Sequence, residues 1–491
     1  MVTPTLENIK QLAETGLYHI IPVSTEIFAD NVTPIEVLKK LKAVSRHCFI
    51  LESAEDNKMW GRYTFLGFDP KMEITCIDGT MKIVSANGEE TIQTNAPNQY
   101  IEAVIAGHKS PKFDNLPPFT GGLVGYFAYD YAKYSEPSLC LSAPDTEHFQ
   151  DVDLMLFDKV IAFDNYRQKI VLIVNISTEN FTAEYESGKA KLEQLKNLVK
   201  FGKPEQTAPP RLKSEFKALF SQDEFCEMVL KAKEYIKEGD IFQVVLSNRF
   251  EAEFDGSLLD TYRVLRTINP SPYMFYFSGN DLEIAGASPE TLVKLHNGKL
   301  FTFPLAGTRP RGETEPEDDA LSQDLLADEK ELAEHNMLVD LGRNDLGKIS
   351  KIGSVAVLKY MSVLKFSHVM HIGSTVSGDI REDKSGLDAI NALLPAGTLS
   401  GAPKIRAMQI INELEQSKRG IYGGAIGYID FTGNMDTCIA IRITYKKNGK
   451  VFIRSGAGIV ADSNAEAEYQ ECLNKSKAVR NALIQSAGGI D

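Results

Sequence analysis

Residues 328–345 (DEKELAEHNMLVDLGRND) begin with three acidic side chains spaced three residues apart, shortly before an apolar run. In an α-helix, Asp328, Glu331 and Glu334 share roughly one face, while the apolar run can turn toward a core. Taken alone, this spacing is more typical of a solvated helix face than of half a metal site. The segment therefore predicts a helix, whereas a metal site requires a second acidic segment.

Residues 461–479 (ADSNAEAEYQECLNKSKAV) predict such a second helix. Ser463 and Glu466 are spaced as a capping box, and on the helix that follows, Glu471 and Lys475 lie one turn apart. No cluster of Cys and His accompanies either segment. Two helices that each offer a carboxylate suit Mg²⁺, which binds one or two protein carboxylates together with waters and substrate oxygens. The pair predicts a magnesium site that closes over an anionic ligand.

The charge balance and the cysteines limit the class of protein. A formal net charge of −14 argues against a nucleic-acid groove, which needs a basic face. An acidic ligand would then need a cation and a few Arg or Lys side chains to reverse the local field. The six cysteines show no paired spacing, which favours reduced thiols in the cytoplasm. The N-terminus lacks a signal pattern and no apolar run approaches about 18 residues, so no membrane contact is expected.

The chain is too long for one core, since its 491 residues suggest a few domains. The first part is rich in predicted strands, with Gly-containing turns at 78–79 and 87–88. Residues 203–213 combine proline and charge without periodicity, as a linker does. The predicted division is a strand-rich domain over residues 1–205 and a second domain over residues 215–491.

Two predicted strands in the second part carry polar side chains on one face. In residues 241–250 (IFQVVLSNRF), alternation places Gln243 with the polar side chains. Residues 437–445 repeat the pattern as one strand, with Arg442 among small neighbours. Such a polar row is usually a solvent face, but it can also form the floor of a pocket. An Arg in this setting is placed to hold a carboxylate in a two-pronged grip.

Two glycine-bearing loops follow. Residues 395–404 (PAGTLSGAPK) place Pro403 at a plausible first helical position, so that the exposed N–H groups and the helix dipole could hold an anion. The nucleotide P-loop spacing is absent. Residues 455–458 (SGAG) follow a predicted strand and allow a ligand to approach the backbone closely, although for such a stretch alone a plain tight turn is the more common explanation.

Taken together, the second part has a series of motifs in a fixed order: IFQVVLSNRF, NPSPYMFYF, GASPETL, PLAGTRPRG, DEKELAEHNMLVDLGRNDL, PAGTLSGAPKIRAMQIINELE, RGIYGGAIGYIDFTGNMDTCIAIRI and GAGIVADSNAEAEYQECLNK. This series resembles the chorismate-utilising enzymes, above all the family of anthranilate synthase large subunits (component I). The match is dense over residues 221–479 and thinner in the first part. The resemblance implies an α+β fold of two large, mainly antiparallel sheets in a sandwich with outer helices. It also implies chorismate, a cyclohexadiene with two carboxylates, as substrate.

The resemblance assigns roles to particular residues. It implies that Glu334 and Glu471 bind Mg²⁺. The implied catalytic residues are Glu290 as general acid for the departing 4-hydroxyl, His371 near the ring without a defined proton role, Thr398 and Gln243. The implied substrate-binding residues are Gly307, Thr308, Tyr422, Arg442, Gly456, Ala457, Gly458 and Lys475.

Three positions separate branches of the family. Isochorismate and salicylate synthases have a lysine base where this chain has Gln243, which cannot deprotonate water at neutral pH. Aminodeoxychorismate synthases have a lysine nucleophile where this chain has Ala306. Thr398 matches the ammonia-using enzymes. The implied reaction is addition of ammonia to chorismate to give anthranilate and pyruvate, the first step of the tryptophan branch, and the two other branches remain as the alternative.

Two functions of other classes, a non-catalytic binding protein and a metal-dependent phosphotransferase, fit the sequence less well. A non-catalytic binding protein would have lost some of these positions, yet all are filled. A metal-dependent phosphotransferase would need a P-loop or a kinase-type lysine loop, and the sequence has neither.

A partner and a regulator are also implied. No glutaminase nucleophile motif is visible, so ammonia would come from a separate glutamine amidotransferase subunit, component II, in a heterotetramer. Ser53 in ILES and the residues Pro272, Tyr273 and Met274 in NPSPYM resemble tryptophan-binding elements. We therefore expect L-tryptophan to inhibit the enzyme by binding across the two predicted domains.

Overall fold

In the computed structural model, which describes residues 2–54, 61–205, 208–365 and 369–490, the chain forms two large antiparallel sheets flanked by helices. This arrangement confirms the predicted α+β sandwich. Within these ranges, no helix is both long and apolar enough to cross a bilayer.

The strands, in chain order, are β1 (Ile20–Phe28), β2 (Cys48–Glu52), β3 (Tyr63–Phe68), β4 (Met72–Ile77), β5 (Thr80–Ser85), β6 (Gly88–Gln93), β7 (Gly122–Phe127), β8 (Val152–Phe157), β9 (Lys159–Asp164), β10 (Lys169–Ser177), β11 (Arg211–Leu212), β12 (Lys217–Ala218), β13 (Gln243–Asp255), β14 (Tyr273–Ser278), β15 (Glu283–Ser288), β16 (Thr291–His296), β17 (Lys299–Thr302), β18 (Leu305–Pro310), β19 (Ala356–Lys365), β20 (Val369–Asp379), β21 (Gly401–Ala402), β22 (Ala425–Asp430), β23 (Met435–Ile439), β24 (Ile443–Lys447) and β25 (Lys450–Ile459).

The helices are α1 (Leu6–Glu14), α2 (Pro34–Lys42), α3 (Pro97–Ala106), α4 (Phe181–Phe201), α5 (Gln222–Glu238), α6 (Leu259–Ile268), α7 (Glu315–Ala327), α8 (Glu329–Gly347), α9 (Gly386–Leu393), α10 (Lys404–Glu415) and α11 (Ala465–Ser486).

Each sheet contains strands from both sides of the predicted domain boundary. Among the described residues, the first sheet has 13 strands and runs β1-β10-β9-β3-β2-β14-β15-β24-β25-β13-β11, with β12 and β21 also paired to β13. The second has 12 strands and runs β18-β20-β17-β16-β23-β22-β7-β8-β4-β5-β6, with β19 paired to β20. Strand β2 of the first part therefore lies beside β14 of the second. The division into two domains stays a prediction, and its boundary, residues 205–215, follows α4 and contains β11.

Three apolar layers hold the sheets and helices together. An aromatic-rich layer lies between the two sheets and includes Phe49 and Phe157, whose rings meet edge to face at 4.8 Å between centroids. A second layer packs the outer face of the first sheet against helices such as α4 and α11. A third packs the outer face of the second sheet against α8 and α9. Burial of the apolar side chains in these three layers is the main contribution to the stability of the folded sandwich.

One predicted strand in the second part of the chain differs from the structure. Residues 437–445 were predicted as one strand, but the chain leaves the second sheet after Ile439 and joins the first at Ile443. Arg442 lies in this crossover with φ of 53°, a left-handed conformation that costs a non-glycine residue energy and is enriched at functional sites. The prediction was wrong because the alternation of apolar residues continues through the break.

The other differences concern local boundaries. Helix α11 is capped by Asn464, whose side chain accepts a hydrogen bond from the Ala467 N–H, and not by the predicted box at Ser463 and Glu466. Residues 455–458 lie inside β25 and do not form a turn after it. Helix α5 begins with a capping box formed by Ser221 and Glu224.

Candidate active site

A cavity of about 500 Å³ lies between the sheets' neighbouring ends and helices α8 and α11. It brings together residues far apart in the sequence, from strands of both sheets, from the two acidic helices and from a 3₁₀ turn at Gly397–Leu399. The predicted residues that line it are Gln243, Glu290, Gly307, Thr308, Glu334, His371, Thr398, Tyr422, Arg442, Gly456, Gly458, Glu471 and Lys475. The side chain of Ala457 packs into the core on the other face of β25, and the substrate contact expected from the backbone of residues 456–458 stays a prediction.

One wall of the cavity is acidic because α8 and α11 each present two glutamates one turn apart. Helix α8 contributes Glu331 and Glu334, and α11 contributes Glu468 and Glu471. Burial raises the pKa of Glu334 above its ordinary value, and the neighbouring Glu331 carboxylate raises it further. Burial likewise raises the pKa of Glu468. The wall therefore concentrates negative charge, part of which Lys475 balances through its ion pair with Glu471.

The donors of this wall fit a hard divalent cation. Glu334 makes no ion pair or hydrogen bond with any described residue, so its oxygens are available to a ligand. Carboxylate oxygens with room for water are what Mg²⁺ prefers. A bound dication would relieve the repulsion that raises the pKa of Glu334.

A cationic group stands beside the acidic wall. The Lys475 ammonium lies 2.5 Å from Glu471 Oε1 and donates to the Gly456 carbonyl at 3.2 Å. Arg442 Nη1 donates to the Lys475 carbonyl at 2.7 Å, which ties the crossover to α11. Burial lowers the pKa of Arg442, while the nearby Tyr422 and Glu471 raise it. An arginine guanidinium keeps its charge in proteins. Arg442 and Lys475 therefore place positive charge in the cavity beside its acidic wall.

Glu290 follows β15 and is placed to act as an acid. Burial raises the pKa of its carboxyl to about 7, although a hydrogen bond from Thr398 and the charge of Lys475 lower it. Thr398 Oγ1 donates to Glu290 Oε1 at 3.2 Å. The Glu290 carbonyl also accepts the Ile439 N–H at 2.9 Å, which fixes the backbone at this point. A carboxyl with this pKa is half protonated near neutral pH and can donate a proton.

His371 is held in one tautomer. Its Nδ1 lies 2.7 Å from the Gly307 carbonyl oxygen, which can only accept, so Nδ1 has the proton in the neutral ring. The Thr308 hydroxyl lies 3.1 Å from the same nitrogen. Burial lowers the pKa of His371 below its ordinary value, so the ring is neutral at physiological pH.

Gln243 and Ala306, two of the three positions that separate the branches, both face the cavity, as Thr398 does. Gln243 opens β13 and is 6% exposed. Its amide packs on Gly458, where an added Cβ would lie 2.7 Å from the Gln243 amide nitrogen. Ala306 lies on β18 across the cavity. Neither position offers the amine that a water-activating or covalent mechanism would need.

Sequence reasoning missed Glu468 and Lys330, which also line the cavity. Glu468 precedes Glu471 by three residues, the same spacing as Glu331 and Glu334 on α8. This repeated spacing on both acidic helices could have identified it.

The four residues predicted to bind tryptophan lie outside this cavity. Strands β2 and β14 are paired, with Glu52 opposite Met274, and the Ala54 N–H donates to the Ser271 carbonyl at 3.0 Å. Ser53 therefore lies next to the segment that contains Pro272, as the resemblance requires. Tyr273 is anchored elsewhere, since its hydroxyl donates to Asp436 at 2.8 Å. The segment that contains Ser53 and the segment that contains Pro272 are therefore adjacent in the fold, and the binding of tryptophan to them stays a prediction.

The fold and this cavity define a class of protein. The sequence model described as chorismate binding enzyme matches residues 46–481, and the chain belongs to this family. Anthranilate synthase component 1 of Acetivibrio thermocellus is 45% identical over 498 residues, covering 100% of both chains. The same component of Aquifex aeolicus is 45% identical, covering 98% of this chain and 97% of its own.

A solved structure agrees with these relatives. The crystal structure of anthranilate synthase component I from Streptococcus pneumoniae superposes with a TM-score of 0.75 at 39% identity, covering 92% of this chain and 98% of that one. These matches confirm the resemblance to component I that the motifs indicated.

Proposed function

We propose that the chain is the component of an anthranilate synthase that converts chorismate and ammonia to anthranilate and pyruvate. One observation carries the proposal: a single cavity joins an acid, Glu290, to an acidic wall and a cationic pair, with Gln243 and Ala306 where other branches have lysines. Ammonia needs no base to attack, whereas water does. The full-length similarity to component 1 proteins supports the same branch.

Mg²⁺ would be held by Glu334 and Glu471, and when bound it would offset the charge of a substrate carboxylate. Arg442 and Lys475 would hold the other carboxylate, and the backbone of Gly456 and Gly458 allows close approach to the ring. Tight placement of this kind supplies much of the rate enhancement in a site without a covalent intermediate.

Proton transfer from Glu290 makes the first chemical step possible. The nitrogen lone pair of ammonia forms a bond to C2, the ring double bonds shift, and the C4–O bond breaks. Hydroxide is a poor leaving group, so Glu290 donates its proton and water departs. The new C–NH₃⁺ group then loses a proton, which offsets the proton that Glu290 donated. Removal of the C2 proton with cleavage of the C3–O bond makes the ring aromatic, and the departing enolpyruvate takes up a proton to give pyruvate.

The isochorismate, salicylate and aminodeoxychorismate synthase alternatives are disfavoured by the same two positions. A neutral amide at Gln243 cannot take a proton from water, and a methyl group at Ala306 cannot form a covalent adduct. No other feature of the cavity favours them.

The experiment that tests the proposed function compares ammonium with glutamine as the nitrogen source. The purified chain is expected to form anthranilate from chorismate, Mg²⁺ and ammonium, with the rate rising as free NH₃ rises, and to be inert with glutamine alone. Anthranilate fluorescence measures both reactions, and adding a glutaminase subunit should restore use of glutamine. Turnover of glutamine by this chain without another protein would contradict the proposal.

A component II glutamine amidotransferase is the proposed partner, in a cytoplasmic heterotetramer. The name component 1 among the relatives supports a second component. Free cysteines, including exposed Cys140, suit a reducing compartment.

We also propose feedback inhibition by L-tryptophan. Ser53→Phe is expected to leave activity without tryptophan largely intact and to raise the inhibitory tryptophan concentration at least severalfold, since a lost hydrogen bond costs on the order of 1–3 kcal/mol. Tryptophan titrations of the variant and the parent chain measure this. Identical inhibition curves, or a parent chain indifferent to millimolar tryptophan, would refute it.

A further inference from the structure

A buried ion cluster lies directly behind the cavity. Glu415, at the end of α10, is 1% exposed, Arg419 is 2% exposed and Arg454 is 1% exposed. Glu415 Oε2 accepts hydrogen bonds from Arg419 Nε at 3.0 Å and from Arg454 Nη2 at 2.7 Å. Burial alone would raise the pKa of Glu415, but the two guanidinium groups hold it below its ordinary value. The cluster therefore contains two cations around one anion.

Arg419 reaches beyond its carboxylate partner to two backbone carbonyls. Its Nη1 donates to the Leu399 carbonyl at 2.5 Å, and its Nη2 donates to the Val245 carbonyl at 2.6 Å. Its guanidinium also lies 4.7 Å from the ring centroid of Tyr129 and 5.9 Å from that of Tyr422, which lines the cavity. Only the planar fork of an arginine can make these contacts together.

Both carbonyls belong to segments that hold catalytic residues. Leu399 directly follows Thr398 in the 3₁₀ turn, and Val245 lies two positions after Gln243 on β13. Thr398 in turn donates to Glu290. One guanidinium thus joins the turn behind Glu290 to the strand on which Gln243 lies.

We propose that Arg419 is a positioning residue for the reaction: by clamping the Leu399 and Val245 carbonyls, it holds Thr398 in hydrogen-bonding reach of Glu290. The inference rests on the proposed function, because it takes Glu290 as the acid. Stability alone does not account for Arg419, since a buried ion pair is not by itself a source of stability.

A double-mutant cycle separates positioning from general support. The variants are Arg419→Lys, Thr398→Val and the two combined, assayed with chorismate, Mg²⁺ and ammonium. If Arg419 acts through Thr398, each single change should lower kcat by about tenfold to a hundredfold, while KM for chorismate changes less than about threefold. The combined variant should then be no slower than Thr398→Val within about twofold.

Two further variants complete the experiment, one as a matched control and one as a replacement in case Arg419→Lys does not fold. Arg406→Lys is the matched control, because Arg406 lies on α10, the helix that ends at Glu415, and holds Asp240 through Nε and Nη2 outside the cavity. It should retain the parent rate. If Arg419→Lys does not fold, Arg419→Gln replaces it in the cycle. That change leaves Glu415 neutralised by Arg454, so no buried charge is left unpaired.

The outcomes are distinct. A combined loss equal to the product of the single losses, or a normal kcat in the folded Arg419 variants, would overturn the positioning role alone. A parent chain that makes no anthranilate would overturn the proposed function, and the positioning role with it.

Discussion

Replacing Glu334 with glutamine is expected to lower the rate of anthranilate formation by about a hundredfold or more, which is about 2.7 kcal/mol of transition-state stabilisation. Glutamine keeps the volume of the side chain but lacks the charge that would hold Mg²⁺ against a substrate carboxylate. Because repulsion and burial already raise the pKa of Glu334, its neutral replacement should not destabilise the fold. Glu471→Gln is expected to have the same effect from the other helix.

The control for both variants is Glu329→Gln, an exposed glutamate in the first turn of α8. It changes the net charge equally but lies away from the cavity, so its rate should match the parent chain. Thermal denaturation checks that all three variants fold. Either site variant retaining half the parent rate at saturating Mg²⁺ would show that the residue is not a metal ligand.

Glu290→Gln is expected to reduce kcat by about a hundredfold to ten-thousandfold, the usual contribution of a general acid. The amide can accept the Thr398 hydrogen bond but cannot release a proton to the departing hydroxyl. Since the protonated form of Glu290 is the active one, kcat at constant free NH₃ should fall as pH rises through its pKa of about 7. Rate profiles from pH 5 to 9 measure this.

Thr398→Val supplies the matched comparison for this profile. Its hydrogen bond lowers the pKa of Glu290, so removing it should move the decline in kcat to higher pH. A Glu290→Gln enzyme with parental kcat would exclude Glu290 as the acid. So would a parent profile that rises through the same range.

Most residues of the site could be predicted from the sequence because they lie in motifs that occur in a fixed order along the chain. Glu334 and Glu471 were placed on helices by spacing, and the helices do face one cavity. Periodicity could not show that the chain changes sheets at Arg442, because Ile439, Ile441 and Ile443 alternate on both sides of the break. Which sheet a strand joins depends on contacts distant in sequence.

Distant contacts also explain what sequence reasoning did not find. Arg419 is unremarkable locally, since its partners Val245 and Leu399 lie 174 and 20 residues away along the chain. The pairing of β2 with β14 likewise joins segments that the predicted boundary separated. Local sequence patterns predict helices and strands, whereas the contacts of Arg419 with the Val245 and Leu399 carbonyls can be seen only in the folded structure.

The most direct test of the central claim uses ¹⁵N-labelled ammonium. The purified chain is incubated with chorismate, Mg²⁺ and the labelled salt, and the products are identified by mass spectrometry. The proposed chemistry predicts anthranilate with one ¹⁵N atom, formed in a one-to-one ratio with pyruvate. Isochorismate, salicylate or a labelled aminodeoxychorismate without pyruvate as the principal product would contradict it.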